Sequence, residues 1–108
     1  MKVLSLRPYP GTIIVCRKRD VMAKLYKRYC REPYPYKDEV RGGRFVRIER
    51  GGTEAETIWL VYAVQPHVLA HELSHVLFRV FETIGSNPSE GNQEPFCYML
   101  SQLMLEAK

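Results

Sequence analysis

The segment Thr57–Val64 is apolar on both of its alternating faces, and this pattern constrains the fold more than any other feature of the chain. Successive side chains of a strand point to opposite faces of its sheet. One face here carries Ile58, Leu60, Tyr62 and Val64, and the other carries Trp59, Val61 and Ala63. A strand that is apolar on both faces has to be covered on both sides. We therefore predict a central strand with protein packed against each face of its sheet.

Three further elements precede or adjoin this strand. A β-branched run, Thr12–Val15, predicts a first strand. Asp20 is suited to be the N-cap of a helix that continues to about Cys30. A strand is predicted from about Arg44 to Glu49, and Gly51-Gly52 indicates a turn before the central strand.

Two helices are predicted after the central strand. Pro66 suits the first turn of a helix that continues to about Ile84, with Gly85 as its C-cap. A last helix is predicted to start near Asn92 or Glu94. The 108 residues then form a single α+β domain, residues 1–108, in the order β-α-β-β-α-α. We expect a small, mostly antiparallel sheet packed on the last two helices.

Composition and charge indicate an ordinary globular protein. The longest apolar run, Ile58–Val64, is far too short to span a membrane, and the apolar stretch at the N-terminus is too short for a secretory signal. We therefore expect a cytoplasmic location in the cell or host cell that expresses the chain. Three widely spaced cysteines, with no C-x-x-C pair, indicate free thiols rather than a disulfide framework.

The predicted helix from Pro66 contains His71-Glu72-Leu73-Ser74-His75 among apolar neighbours. Two histidines four residues apart lie on the same face of a helix, so their imidazoles can bind one tetrahedral metal ion. Glu72 points about 100° away round the helix, where it can reach a water beside the ion but cannot readily be a ligand. The structural alternative is a pair of core histidines hydrogen-bonded to backbone carbonyls.

A third ligand is expected from the carboxylates after His75, because catalytic zinc sites commonly have three protein ligands. Glu82 lies too far along the same helix, and Glu106 lies at the C-terminus. Glu94 opens the last helix, where the helix dipole favours a carboxylate. We predict Glu94 as the ligand and retain Glu90, in the preceding loop, as the alternative.

The motif His71-Glu72-Leu73-Ser74-His75, with Glu94 following 19 residues after His75, resembles the pattern of the gluzincin family of zinc metallopeptidases. The element order also resembles the minimal gluzincin core. The resemblance extends over about residues 57–105 and is strongest to short zinc-peptidase-like proteins of bacteriophages and mobile elements. It implies Zn²⁺ held by His71, His75 and Glu94, a peptide or protein substrate, and Glu72 as the general base of peptide hydrolysis.

One departure from the family pattern concerns the support of the metal ligands. Larger gluzincins often place an acidic residue one turn after the third ligand, and this chain has Tyr98 there. A tyrosine can hydrogen-bond but gives a ligand histidine weaker support than a carboxylate. Tyr98, His67 and Tyr62 are candidate auxiliary residues, with a surface histidine and core aromatics as the simpler interpretation.

Two other functions remain open at this stage. The chain could be a catalytically weak or inactive zinc-binding protein with a regulatory or interaction role, because fold and motif do not guarantee turnover. It could also associate with nucleic acid through residues 1–50, which hold 14 Lys/Arg against 5 Asp/Glu. In that half Tyr26, Tyr29, Tyr34 and Tyr36 interleave with basic residues, as in a stacking surface. Manganese, cobalt or nickel can occupy a site of this kind in place of zinc.

Overall fold

The computed structural model describes residues 1–36, 42–49, 57–86, 91 and 93–108. These residues form four strands and three helices. The elements are β1 (Lys2–Ser5), β2 (Thr12–Cys16), α1 (Arg19–Cys30), β3 (Gly43–Ile48), β4 (Ile58–Ala63), α2 (Pro66–Thr83) and α3 (Gln93–Glu106). The predicted turn at Gly51-Gly52 and the alternative ligand Glu90 lie outside the described residues.

The four strands form one mixed sheet in the order β1-β2-β4-β3. The β1–β2 and β3–β4 pairs are antiparallel, whereas β2 and β4 are parallel. The predicted α+β class is confirmed, and the predicted elements occur in the predicted order. β1 is an additional strand that the sequence analysis did not predict.

The predicted central position of β4 is confirmed, since this strand lies between β2 and β3. Trp59 and Val61 pack on the face covered by α2 and α3, whereas Leu60 and Tyr62 pack on the opposite face with α1. Val64 does not continue this pattern, because it follows the end of β4 and is 48% exposed. The sheet therefore separates two hydrophobic clusters.

Each face of the sheet is covered by helices. We call the cluster between the sheet and the last two helices the α2–α3 core; its buried members include Leu6, Ile13, Trp59, Leu69, Leu73, Leu77, Phe81 and Leu103. We call the cluster on the other face the α1 core; its buried members are Ile14, Cys16, Met22, Leu25, Ile48, Leu60 and Tyr62. The expectation that the sheet packs on the last two helices therefore omitted the cover that α1 supplies.

The helix termini follow local chemistry with one exception. The prediction that Asp20 is the N-cap of α1 is wrong, because Lys18 holds that position. Asp20 lies in the first turn of α1, where its negative charge interacts favourably with the helix dipole. Pro66 occupies the first turn of α2, as predicted. Within the described ranges, none of the helices is long and apolar enough to cross a membrane.

Gly85 ends α2 in the predicted C-cap region. Its φ is 73°, in the left-handed range that favours glycine. The Gly85 N–H donates to the carbonyl oxygen of Glu82, and the Ser86 N–H donates to that of Phe81. This pair of hydrogen bonds is the Schellman motif, which satisfies the last carbonyls of the helix.

Candidate metal centre

The two histidines of the motif project from the outer side of α2. Leu69, Leu73 and Val76 on the opposite side are buried in the α2–α3 core, so the orientation of the helix on the sheet is fixed by apolar packing. His71 and His75 are both exposed. Their Nε2 atoms lie 3.0 Å apart, with the ring centroids 4.6 Å apart and the ring planes nearly perpendicular at 83°. The helix therefore brings two imidazole nitrogens to one point at the surface.

This separation is compatible with a shared metal ion. Zinc–imidazole bonds are about 2.1 Å long, so tetrahedral geometry separates two ligand nitrogens by about 3.4 Å. The observed 3.0 Å is a few tenths of an ångström shorter, a difference that a small change of ring torsion removes. The same distance also permits a direct hydrogen bond, if one ring carries its proton on Nε2 and the other does not. The two imidazoles can therefore bind one zinc ion, and without the ion they can hydrogen-bond to each other.

Glu72 lies beside the histidines but on the side of α2 that faces β3. It is only 5% exposed. Gly43, the first residue of β3, lies close to it, since a Cβ at Gly43 would lie 3.4 Å from the Glu72 Cγ and would collide with Val68. Glycine at this position therefore lets the edge strand approach α2 closely enough to cover the methylene groups of the Glu72 side chain.

A surface cavity opens next to this carboxylate. It has a volume of about 570 Å³ and is lined by His67, Val68, His71 and Glu72. One predicted ligand and the predicted general base therefore border the same space. The cavity is large enough for a small molecule or part of a polymer chain to contact both side chains.

Phe45 of β3 holds the second histidine in place. Its ring stacks on that of His75, with centroids 5.3 Å apart and an interplanar angle of 19°. The Phe45 ring also contacts the Trp59 ring, with ring centroids 6.3 Å apart. Phe45 and Gly43 were not predicted as site residues from the sequence. The alternation of side chains along β3 could have indicated Phe45, because it places Phe45 on the same face of the sheet as Val61, its partner in register.

Glu94 lies in the first turn of α3, as predicted, and is exposed. It lines a second cavity of about 600 Å³ together with Arg7, Tyr9 and Glu106. Among the residues that the structure describes, no three His, Cys, Asp or Glu side chains are grouped closely enough to hold a metal ion. The histidine pair is thus assembled, and the third ligand stays a prediction.

The turn of α3 that carries Glu94 does pack beside the turn of α2 that follows His75. Phe96 contacts Phe78 with ring centroids 4.7 Å apart, and it contacts Phe81 at 5.6 Å. Phe78 lies three residues after His75, and Phe96 lies two residues after Glu94. The aromatic contact therefore fixes the start of α3 next to the histidine-bearing part of α2.

The three candidate auxiliary residues occupy different places. His67 is exposed and lines the cavity that contains His71 and Glu72. Tyr98 is 77% exposed and lines the other cavity, together with Glu94. Tyr62 packs in the α1 core, so the sheet lies between its ring and α2. Of the three, His67 alone borders the cavity at the histidine pair.

A scan against models of known protein families and searches of curated proteins and of solved structures were made with this chain. None of the three found a match. A functional assignment therefore depends on the chemistry and geometry of the chain's own residues. The likeness to gluzincins continues to rest on the spacing of His71, Glu72, His75 and Glu94.

Proposed function

We propose that this chain is a zinc-dependent peptidase with a gluzincin-like site on α2. The observation that supports the proposal best is the 3.0 Å separation of the His71 and His75 Nε2 atoms at the protein surface. Folding does not require the two exposed histidines to approach each other, because leucine and valine side chains on the opposite side of α2 form its contacts with the core. Convergence on one point is what a metal ligand pair requires.

His71, His75 and Glu94 would hold the ion in this proposal. Bound zinc supplies an activated water and polarises the carbonyl of the scissile bond. The approach of Glu94 is supported by the Phe78–Phe96 contact, which keeps the first turn of α3 beside α2. Glu90 remains the alternative third ligand.

Glu72 acts as the general base in this proposal. A base has to lie within hydrogen-bond reach of the proton that it removes, and Glu72 borders the same cavity as His71. Its low exposure holds the carboxylate near one position, which favours proton transfer to a fixed point. After accepting a proton from water, the carboxyl group delivers it to the leaving amine.

The edge of the sheet gives the substrate a place to bind. Within the described strands, β3 pairs with β4 alone, and Phe45 on β3 contacts His75 directly. An extended peptide that adds to the outer edge of β3 would therefore pass next to the histidine pair. This placement supports an unfolded or extended polypeptide as the substrate class.

The test compares wild type with Glu72→Gln and with the control Glu82→Gln, an exposed glutamate on the same helix. We expect the wild type to cleave an unfolded protein substrate and to lose this activity when a chelator is added. Glu72→Gln should retain zinc and lose at least about a hundredfold in kcat, because a positioned general base contributes about 10²–10⁴. Glu82→Gln should behave as wild type.

The same experiment separates the peptidase from a zinc-binding regulatory protein. Wild type that binds one zinc per chain and shows no chelator-sensitive cleavage would support the regulatory role. Cleavage that survives in Glu72→Gln at the wild-type rate would remove Glu72 from the mechanism. Both outcomes are read from one series of purified variants.

A further inference from the structure

Three tyrosines come together on the side of the sheet opposite the histidine pair. Tyr26 of α1 contacts Tyr34 and Tyr36, with ring centroids 5.4 and 6.4 Å apart, and Tyr34 contacts Tyr36 at 5.3 Å. All three contacts are edge-on, at 69–85°. Residues 33–36 therefore pack back against α1 rather than leaving it. We call these three residues the tyrosine cluster.

Two arginines are fixed against the tyrosine cluster. The Arg19 guanidinium donates a 2.7 Å hydrogen bond to the carbonyl oxygen of Tyr36 and lies 5.6 Å from the centroid of the Tyr34 ring. The Arg44 guanidinium lies 3.6 Å from the centroid of the Tyr36 ring. These contacts hold cationic groups next to aromatic rings in a defined arrangement.

A cavity of about 600 Å³ adjoins the tyrosine cluster. Its lining residues are Arg19, Ala23, Lys24, Lys27, Pro33 and Tyr34. Three of the six carry a positive charge, and none carries a negative charge. A concave surface with one sign of charge attracts ligands of the opposite sign. The ligand class that this cavity fits is therefore anionic.

The positive charge continues along α1 beyond the cavity. Residues 19–31, which are α1 and its C-cap residue, contain five Lys/Arg and one acidic residue, Asp20. Arg28 and Arg31 are exposed, like the lysines that line the cavity. A polyanion that enters the cavity can therefore continue along the helix and meet further cations.

We propose that this surface of α1 binds single-stranded nucleic acid. The cations would contact successive phosphates, and the Tyr34 ring, which lines the cavity, would stack on a base. Base stacking on aromatic side chains beside a basic groove is how single strands are bound without sequence preference. A run of Asp and Glu would use the cations equally but carries no ring to stack on Tyr34, whereas nucleic acid carries a base beside every phosphate, so the observations favour nucleic acid.

The surface is independent of the proposed zinc site. α1 packs on the face of the sheet that carries the α1 core, whereas α2 packs on the opposite face. A variant of either surface should therefore leave the other intact. Glu72→Gln is expected to bind nucleic acid as wild type does.

The test is the fluorescence anisotropy of a labelled 12-nucleotide single-stranded DNA or RNA, titrated with the full chain at several salt concentrations. We expect the double variant Lys24→Gln/Lys27→Gln to bind at least tenfold more weakly at low salt. It should also reduce the slope of log K against log salt by about 1.4, because each phosphate contact on a single strand contributes about 0.7. Tyr34→Leu should weaken binding and leave this slope unchanged.

The matched control is Lys2→Gln/Arg79→Gln, which removes two charges from elsewhere. Arg79 lies on α2, and Lys2 pairs with Val15, a member of the α2–α3 core, so both lie on the other side of the sheet. This control should bind as wild type. Thermal unfolding of each variant establishes that the chain remains folded.

Three results would overturn the proposal. The first is no binding by wild type at low salt, and the second is an equal loss of affinity in the control and in Lys24→Gln/Lys27→Gln. The third is polyglutamate binding as tightly as the oligonucleotide with no effect of Tyr34→Leu, which would assign the surface to acidic polypeptides. Tighter binding of the oligonucleotide with a Tyr34 effect would support the proposal.

Discussion

The Phe45 ring lies almost parallel to the His75 ring, with the centroids 5.3 Å apart. Phe45 belongs to the edge strand β3, and His75 belongs to α2, so this contact joins the sheet edge to the candidate metal centre. A stacked ring restricts rotation of the imidazole about its χ angles and keeps Nε2 turned toward His71. The histidine pair is in this way supported by the sheet as well as by the helix.

Phe45→Ala should weaken zinc binding. Removing the stacked ring frees the His75 imidazole, and we expect a loss of zinc affinity of about tenfold, at the lower end of what supporting residues of metal sites contribute. Competition with a chromophoric chelator measures this affinity. Val46→Ala is the matched control, because Val46 is the next residue of β3 and packs on the α1 core instead. Equal zinc affinities in the two variants would contradict the role given to Phe45.

Gly43→Ala should reduce turnover more than zinc binding. The added methyl group would collide with Val68 and lie 3.1 Å from the Tyr62 carbonyl oxygen and 3.4 Å from the Glu72 Cγ, so β3 has to move away from α2. Because Glu72 is the proposed base, kcat should fall while zinc content is retained. The double variant Gly43→Ala/Val68→Ala removes the nearest obstacle and should recover part of the activity. Unchanged kcat in Gly43→Ala would show that the position of β3 does not control Glu72.

Gly85→Ala should lower the free energy of unfolding without changing the candidate metal centre. Gly85 has φ of 73°, and a methyl group there would meet no atom within 4 Å, so backbone strain alone determines the cost. That cost is about 1 kcal/mol for a non-glycine residue in the left-handed region. Gly91→Ala is the control, since its added methyl group also meets nothing. Urea denaturation should separate the two variants, and equal midpoints would contradict the strain argument.

The cysteines should differ strongly in reactivity. Cys16 is fully buried, and burial raises its pKa above the ordinary 9.0, although the nearby amino terminus partly opposes this. Cys97 is exposed. Iodoacetamide at pH 8 should therefore label Cys97 in the folded chain, while Cys16 should react only after unfolding. Peptide mass mapping reads both sites, and rapid labelling of Cys16 in folded protein would contradict its burial.

The same shift predicts how stability changes at alkaline pH. The folded pKa of Cys16 lies above the unfolded pKa, so the unfolded chain loses this proton first as pH rises. The contribution of Cys16 is thus fully present below about pH 9 and declines above it. Cys16→Ala should show a smaller loss of stability between pH 8 and 10 than wild type, measured by urea denaturation.

The helix with the histidine pair could be predicted from the sequence because its signals are local. Pro66 at the start, Gly85 at the end and the apolar stripe between them each act within a few residues. The central position of β4 was predictable for the same reason, since both of its faces are apolar within six residues. His71 and His75 converge because they lie one turn apart on this helix.

The features that were missed depend on distant residues. Only Leu4 is buried among the four residues of β1, so the apolar pattern of this strand is weak. The strand is recognised mainly by its hydrogen-bonded pairing with β2. The parallel β2–β4 pair joins segments separated by α1 and β3, which leaves no turn signal in the sequence. The Phe45–His75 stack likewise requires β3 to reach the sheet edge beside α2. The placement of Glu94 depends on how α3 packs, which helical periodicity alone does not fix.

The zinc content of the purified chain shows whether His71, His75 and Glu94 hold a metal ion. Wild type, His75→Ala and Glu94→Ala are loaded with zinc, dialysed, and analysed for metal by inductively coupled plasma mass spectrometry. We expect close to one zinc per wild-type chain, almost none in His75→Ala and a marked loss in Glu94→Ala. Wild type that retains no zinc after loading would contradict the claim that His71 and His75 are a metal-binding pair.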